Sequence, residues 1–230
     1  MYCIRNTAVR NRVSMTEQNF EHMRRAMVAS TLRTTGVNNP RVLAAIGAVP
    51  RERFVPPERR LVAYTDTMVP LGGGRELNSP MSLGRMLNEA SPEEGERALV
   101  IAAATGYAAA VLEPMVGSVT ALEEDPRLIE MARHALSGTK VKLMAGTLTQ
   151  GYPEGGPYDL ILIDGAVEFI PQAIIDQLVD GGRIATALLD QGVTRIAIGR
   201  RAGEGFGIAP MADSASTIIP GFTRPKTFSF

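Results

Sequence analysis

Cysteine is almost absent from this chain: Cys3 is the only one in 230 residues. No intrachain disulfide can form, and no cysteine-rich metal site can assemble. Histidine is nearly as scarce. His22 and His134 lie far apart, both in helix-like stretches, and read as surface or half-buried helix residues rather than metal ligands. Net charge is missing too, since 24 Lys and Arg balance 24 Asp and Glu. A neutral chain offers no global field for nucleic acid or an anionic membrane. No apolar run approaches the roughly 20 residues that a membrane-spanning helix needs. Residues 1–14 carry three arginines but no apolar stretch, so they do not read as a secretory signal. They are expected to be a disordered tail ahead of the better-organised segment that opens at Met15. Together these absences point to a cytoplasmic protein with no nucleic-acid partner, no membrane partner and no bound metal.

What is present is apolar sequence in quantity. Hydrophobic residues make up 45% of the chain, enough for one large α/β domain with a substantial core. Ser14 and Glu17 have capping-box spacing. Phe20, Met23, Met27 and Leu32 then form a helical stripe that ends near Gly36. Asn39-Pro40 supplies an N-cap and first-turn pair for a second helix with Val42, Leu43, Ile46 and Val49 on its apolar face. Pro50, Pro56 and Pro57 interrupt regular structure. Residues 61–80 read as irregular around Gly72-Gly73-Gly74, and a short helix follows Pro80.

From Arg97 the pattern changes. Strands are expected at 98–103, 118–122, 141–144, 158–163 and 183–189, and again at 193–199 and 206–211. Helices are expected at 107–116, 126–136 and 170–178. Strands separated by helices imply crossover connections: a mostly parallel central sheet with helices on both faces, a helical N-terminal cap, and an antiparallel edge.

In such a sheet a ligand binds beyond the carboxyl ends of the strands, where the first strand turns into its helix. That turn is Ala102-Ala103-Ala104-Thr105-Gly106-Tyr107. Small residues let a ligand approach the backbone, and the helix start offers free N–H groups. The next strand ends at Glu123, about twenty residues on, where a carboxylate can accept hydrogen bonds from both ribose hydroxyls of a nucleoside. Each feature has a bland counterpart, close packing for the turn and a solvated strand end for Glu123.

Several stretches together resemble one family. Ala48-Val49-Pro50-Arg51-Glu52-Arg53-Phe54-Val55-Pro56 matches A-V-P-R-E-x-F-V-P. Ala63-Tyr64-Thr65-Asp66 and Pro70-Leu71-Gly72-Gly73-Gly74 match A-Y-x-D and P-I-G-x-G. Thr105-Gly106-Tyr107-Ala108-Ala109-Ala110-Val111-Leu112 sits where the pattern has S-G-Y-Q-A-A-V-L. Tyr152-Pro153, Pro157-Tyr158-Asp159 and Asp180-Gly181-Gly182-Arg183 match W-P, P-F-D and P-G-G-R. This order resembles the protein-L-isoaspartate O-methyltransferases, from about Phe20 to about Ala187. The resemblance implies an α/β S-adenosylmethionine-dependent methyltransferase (Rossmann-like) fold. It also implies O-methylation of the side carboxyl of damaged aspartyl residues in a protein or peptide, as part of protein repair.

The departures from that pattern bear on chemistry. The first-strand motif L-E-I-G-T-G-S-G-Y is here Leu99-Val100-Ile101-Ala102-Ala103-Ala104-Thr105-Gly106-Tyr107. Ala102 and Ala104 replace glycines, which crowds the cofactor's amino-acid end and adds a backbone penalty if either needs positive φ. Val100 replaces the acid. The G-D-G element becomes Gly146-Thr147-Leu148, so Thr147 stands where an aspartate contacts adenine. The T-A-A-A-P element becomes Asp164-Gly165-Ala166-Val167-Glu168, which brings acid to the cleft mouth. In the substrate loop T-I-S-Q-P becomes Glu76-Leu77-Asn78-Ser79-Pro80. Asn78 takes the serine place and can orient a carboxylate through its amide, whereas Glu76 repels an anionic acceptor.

The resemblance therefore assigns S-adenosylmethionine to Ala102, Ala104, Gly106, Tyr107, Glu123 and Thr147, and the acceptor to Asn78 and Ser79. The alternative for Asn78 and Ser79 is a polar turn that caps the helix beginning at Pro80. Val100, Ala102, Ala104 and Thr147 weigh against a close cofactor fit. Two other functions thus stay open: a methyltransferase-fold enzyme with a changed acceptor, and a non-catalytic binding or assembly module that has lost the cofactor. Residues 15–96 are expected to form the cap and substrate loop, and 97–230 the core. A monomer or homodimer is expected, with the tail 220–230 docked along an edge.

Overall fold

The computed structural model describes residues 15–224; the tails at 1–14 and 225–230, including the capping box at Ser14, lie outside it. Helix α1 (Met15–Met27) continues through a wider turn to a left-handed Gly36. Helix α2 (Pro40–Ala48) starts where the Asn39 side chain accepts from the N–H groups of Arg41 and Val42, as its sequence predicts. Helix α3 (Pro80–Ala90) is capped in the same way by the Ser79 hydroxyl, which accepts from Ser82 N–H.

The stretch 61–80 is more regular than its sequence suggests. Strands β1 (Val69–Gly72) and β2 (Arg75–Leu77) pair antiparallel as a hairpin. Gly72, Gly73 and Gly74 all have positive φ, which lets so short a connection reverse the chain. Alternation then sends Val69, Leu71, Arg75 and Leu77 inward, while Glu76 points to the other side and stays half-exposed.

The main sheet has seven strands: β3 (Arg97–Ile101), β4 (Ser118–Glu123), β5 (Lys142–Ala145), β6 (Tyr158–Val167), β7 (Leu178–Asp190), β8 (Val193–Ala202) and β9 (Gly205–Asp213). Their order is β5-β4-β3-β6-β7-β8-β9. The first five run parallel, and β8 and β9 close the far edge antiparallel. Helices α4 (Tyr107–Leu112) and α5 (Pro126–Ala135) connect β3, β4 and β5, with Asp125 capping α5. The α/β class, the parallel centre and the helical cap agree with the sequence reading.

The two faces of the sheet bury different residues. Ala98, Val100, Leu160 and Leu162 pack with the cap helices, α4 and α5. Leu99, Ile101, Ile161 and Ile163 pack with Ile174, Ile219 and Phe222. That second face is thinly covered, because the expected helix at 170–178 shrinks to one turn, α6 (Gln172–Ile175). The chain must straighten early: the Gln177 carbonyl accepts from Tyr158 N–H, and β7 begins at Leu178. Residues 217–222 cover the rest, with Glu168 N–H donating to the Phe222 carbonyl. No helix among the described residues is long and apolar enough to cross a membrane.

Strand order reverses at β3 and β6, so a crevice is expected beyond their carboxyl ends. Asp164 lies in an irregularity of β6, between Leu162 and Ala166, where its register against β7 shifts. Such bulges re-aim a side chain out of the strand's alternation.

Candidate cofactor and acceptor site

The turn after β3 is built from left-handed residues. Ala102 has φ 59°, Ala104 φ 51° and Gly106 φ 93°. Gly106 is required here for a second reason, since a Cβ would lie 2.8 Å from Leu136. Alanine in this region costs about 1–2 kcal/mol, and only part of that returns through the stiffer unfolded chain. Ala102→Gly and Ala104→Gly are each expected to raise the unfolding free energy by about 0.5–1 kcal/mol in urea titrations. A loss of stability at both positions would rule out stored strain. The Thr105 hydroxyl donates to the Phe54 carbonyl at 2.6 Å and ties the turn to the cap.

Glu123 ends β4 beside this turn, where a nucleoside-binding carboxylate belongs, but it is fully engaged. Its Oε2 accepts from Ala104 N–H at 2.8 Å, and its Oε1 accepts from the N–H groups of Glu124 and Asp125 at 3.0 and 3.1 Å. Arg75 of β2 closes the set with a bidentate pair, Nη1 to Oε1 at 2.8 Å and Nη2 to Oε2 at 3.0 Å. Glu123 is 0% exposed and Arg75 7%. Ala102 and Ala104 are buried as well. Thr147 is exposed directly after β5, and its side chain does not cap the helical turn that follows.

A second cluster gathers at the irregularity of β6. Asn78 Nδ2 donates to Asp164 Oδ1 at 3.2 Å, and Asn78 Oδ1 accepts from Thr217 N–H at 3.3 Å. The Asn78 carbonyl accepts from Arg51 Nη2 at 2.6 Å. Ser79 turns away to cap α3. Burial pushes the Asp164 carboxyl up to about 6; the Asn78 amide and the charges of Arg51 and Arg75 pull the other way. Burial likewise lowers the Arg51 guanidinium, which stacks 4.7 Å over the Tyr107 ring. Tyr107 thus presents its ring to the cap, with Phe54 against its edge, and burial raises its phenol.

The sequence-derived candidates therefore fall into two groups. Ala104 meets Glu123 through its N–H in the turn that Ala102 and Gly106 share, and Asn78 meets Asp164 and Arg51. Sequence reasoning missed Arg75. A basic residue directly after a glycine turn was the available signal, but its partner lies 48 positions away.

A parallel sheet with an acidic strand end beside the first turn defines the class, a Rossmann-like nucleotide-binding α/β fold. The profile of the protein-L-isoaspartate(D-aspartate) O-methyltransferases matches residues 23–205, and the chain belongs to that family. It is 37% identical over 181 residues to protein-L-isoaspartate O-methyltransferase 1 of Rhodopseudomonas palustris, covering 77% of this chain and 74% of that one. Among solved structures, a protein-L-isoaspartate O-methyltransferase superposes with a TM-score of 0.74 at 23% identity, over 86% of this chain and 66% of that one. A Plasmodium falciparum protein described as an isoaspartate methyltransferase, in complex with S-adenosyl-L-homocysteine, superposes with a TM-score of 0.69 at 16% identity, over 85% of this chain and 97% of that one. The family expected from the motifs is thus the family found.

Proposed function

We propose that this chain is an S-adenosylmethionine-dependent carboxyl O-methyltransferase whose acceptor is an isoaspartyl side chain of a protein or peptide. Family membership over residues 23–205 carries this reading. The crevice supports it with a carboxylate at the end of β4, a small-residue turn after β3, and an amide at Asn78 facing the second strand end. When bound, the cofactor supplies an electrophilic methyl group. An acceptor that is already a carboxylate needs alignment and desolvation rather than a strong base. We assign to Asn78 the orienting of that carboxylate, and to Ser79, which caps α3, the holding of the loop. We assign residues 15–96 to the cap and substrate loop and 97–230 to the core, in a cytoplasmic monomer or homodimer.

With Arg75 in place the residues do not fit a nucleoside. Both oxygens of Glu123 are engaged, by Arg75 and by three backbone N–H groups, and Ala102 and Ala104 carry their methyls in a buried turn. That favours a second reading, a binding or assembly module that keeps the fold and has lost the cofactor. Incubation with S-adenosylmethionine carrying a labelled methyl group and an isoaspartyl peptide separates the two. Base-labile label on the isoaspartyl peptide, and none on its aspartyl isomer, is the expected result. Absence of label at millimolar cofactor would leave the second reading.

A further inference from the structure

We propose that Arg75 is a built-in competitor for the cofactor's ribose, so that a nucleoside enters only when the tip of the β1–β2 hairpin withdraws. The inference rests on the cofactor reading of the crevice given above. A guanidinium presents two parallel N–H donors, the pattern with which two vicinal hydroxyls address a carboxylate. Arg75 uses that fork on both oxygens of Glu123, at 2.8 and 3.0 Å, and leaves the carboxylate fully buried. Three backbone N–H groups hold the carboxylate from behind, so it stays in position whether or not Arg75 is present.

The carrier is suited to movement. β1 and β2 form a two-stranded sheet of their own, joined to no strand of the main sheet. Such a hairpin has little stability by itself; Val69, Leu71 and Leu77 anchor its strands in the core, so the part suited to withdraw is the tip that carries Arg75. Its turn is three exposed glycines in left-handed conformation. Outside the Arg75 pair, the tip is held by Arg127, which donates to the Gly72 carbonyl at 3.4 Å. Asn78 follows β2 directly, so withdrawal of Arg75 would also shift the amide that faces Asp164. Cofactor entry and acceptor positioning would then be coupled through one short segment.

Affinity for a ligand that needs a minor conformation falls by the population of that conformation. Removing the competitor therefore tightens binding without any new contact. The test is calorimetric titration of S-adenosylhomocysteine into the full chain and into Arg75→Ala and Arg75→Gln, with circular dichroism to verify the fold. Arg75→Gln keeps one amide donor and guards against a variant that does not fold. The expected result is at least about tenfold tighter binding in both variants. Methylguanidinium is expected to compete with the ligand in Arg75→Ala. In the unaltered chain, hydrogen exchange of residues 69–77 is expected to rise on adding the ligand. Equal affinity in all three chains, or protection of 69–77 on binding, overturns the competitor and leaves the methyltransferase reading intact. Binding gained in the Arg75 variants with no label on an isoaspartyl peptide supports the competitor and overturns the isoaspartyl activity. No binding even by Arg75→Gln combined with Ala102→Gly and Ala104→Gly overturns both.

Discussion

Glu123→Gln is expected to lower the unfolding free energy by about 3–5 kcal/mol, measured by urea denaturation at neutral pH. The carboxylate is wholly buried and accepts five hydrogen bonds, two of them from Arg75. An amide has one acceptor oxygen, so its NH2 group must face donors whichever way it is turned. The Arg75 guanidinium, 7% exposed, would lose its bidentate partner in a site that water hardly reaches. Breaking a buried pair from one side is costly because it strands the other charge. Arg75→Gln is expected to cost less than Glu123→Gln, since three backbone N–H groups still solvate the carboxylate. A ribose-binding carboxylate that stood free in the crevice would show the opposite pattern, with little effect of Glu123→Gln on stability. A change below about 1 kcal/mol would mean that the Arg75–Glu123 pair does not form in solution.

Features governed by neighbours in sequence were legible before the structure. Asn39 and Asp125 announce α2 and α5 because an N-cap acts over two or three residues. The buried parallel strands stand out as short runs such as Leu160–Ile163, which are apolar on both faces. Glu123 was found because its place follows from the end of one strand. The backbone demand on Ala102 and Ala104 could be stated only as a condition, and both positions turn out left-handed. The hairpin was hidden because a glycine run is as compatible with a loop as with a tight reversal. Arg75 was hidden for a different reason. Side-chain pairing across 48 residues depends on how the hairpin docks onto the sheet, which no local pattern encodes. Asp164 was visible as an acid at the crevice, but it is buried against a partner, Asn78, that lies 86 positions away in the chain.

Asp164→Asn is expected to stabilise the protein at pH 7.5 by about 1–3 kcal/mol and to remove most of a pH dependence between about 4 and 7. The Asp164 carboxyl is 4% exposed and raised to about 6, above the ordinary aspartate value near 3.9. Desolvation is the main cause, opposed by the Asn78 amide and by the positive charges of Arg51 and Arg75. The sign follows from proton binding. Between about pH 4 and 6 the folded state holds more protons than the unfolded state, so stability falls as pH rises through that window. The shift of about two units corresponds to about 3 kcal/mol, present below pH 4 and lost above the folded value. Asparagine is neutral throughout, and its oxygen can accept from Asn78 Nδ2 as the carboxylate does. Arg51 and Arg75 lose a nearby anion, which sets the lower end of the expected gain. Urea midpoints of both proteins at pH 4.5, 5.5, 6.5 and 7.5, spanning the window set by proton linkage, measure the difference. Parallel pH profiles would show that Asp164 is not the group that titrates. The same charge matters for the acceptor. Above pH 6 an ionised Asp164 repels a carboxylate brought to Asn78, the acceptor position proposed above, whereas a neutral group in its place does not. Methyl transfer to a carboxylate at Asn78 should therefore gain, at pH 7.5, from the substitution that also makes the fold more stable.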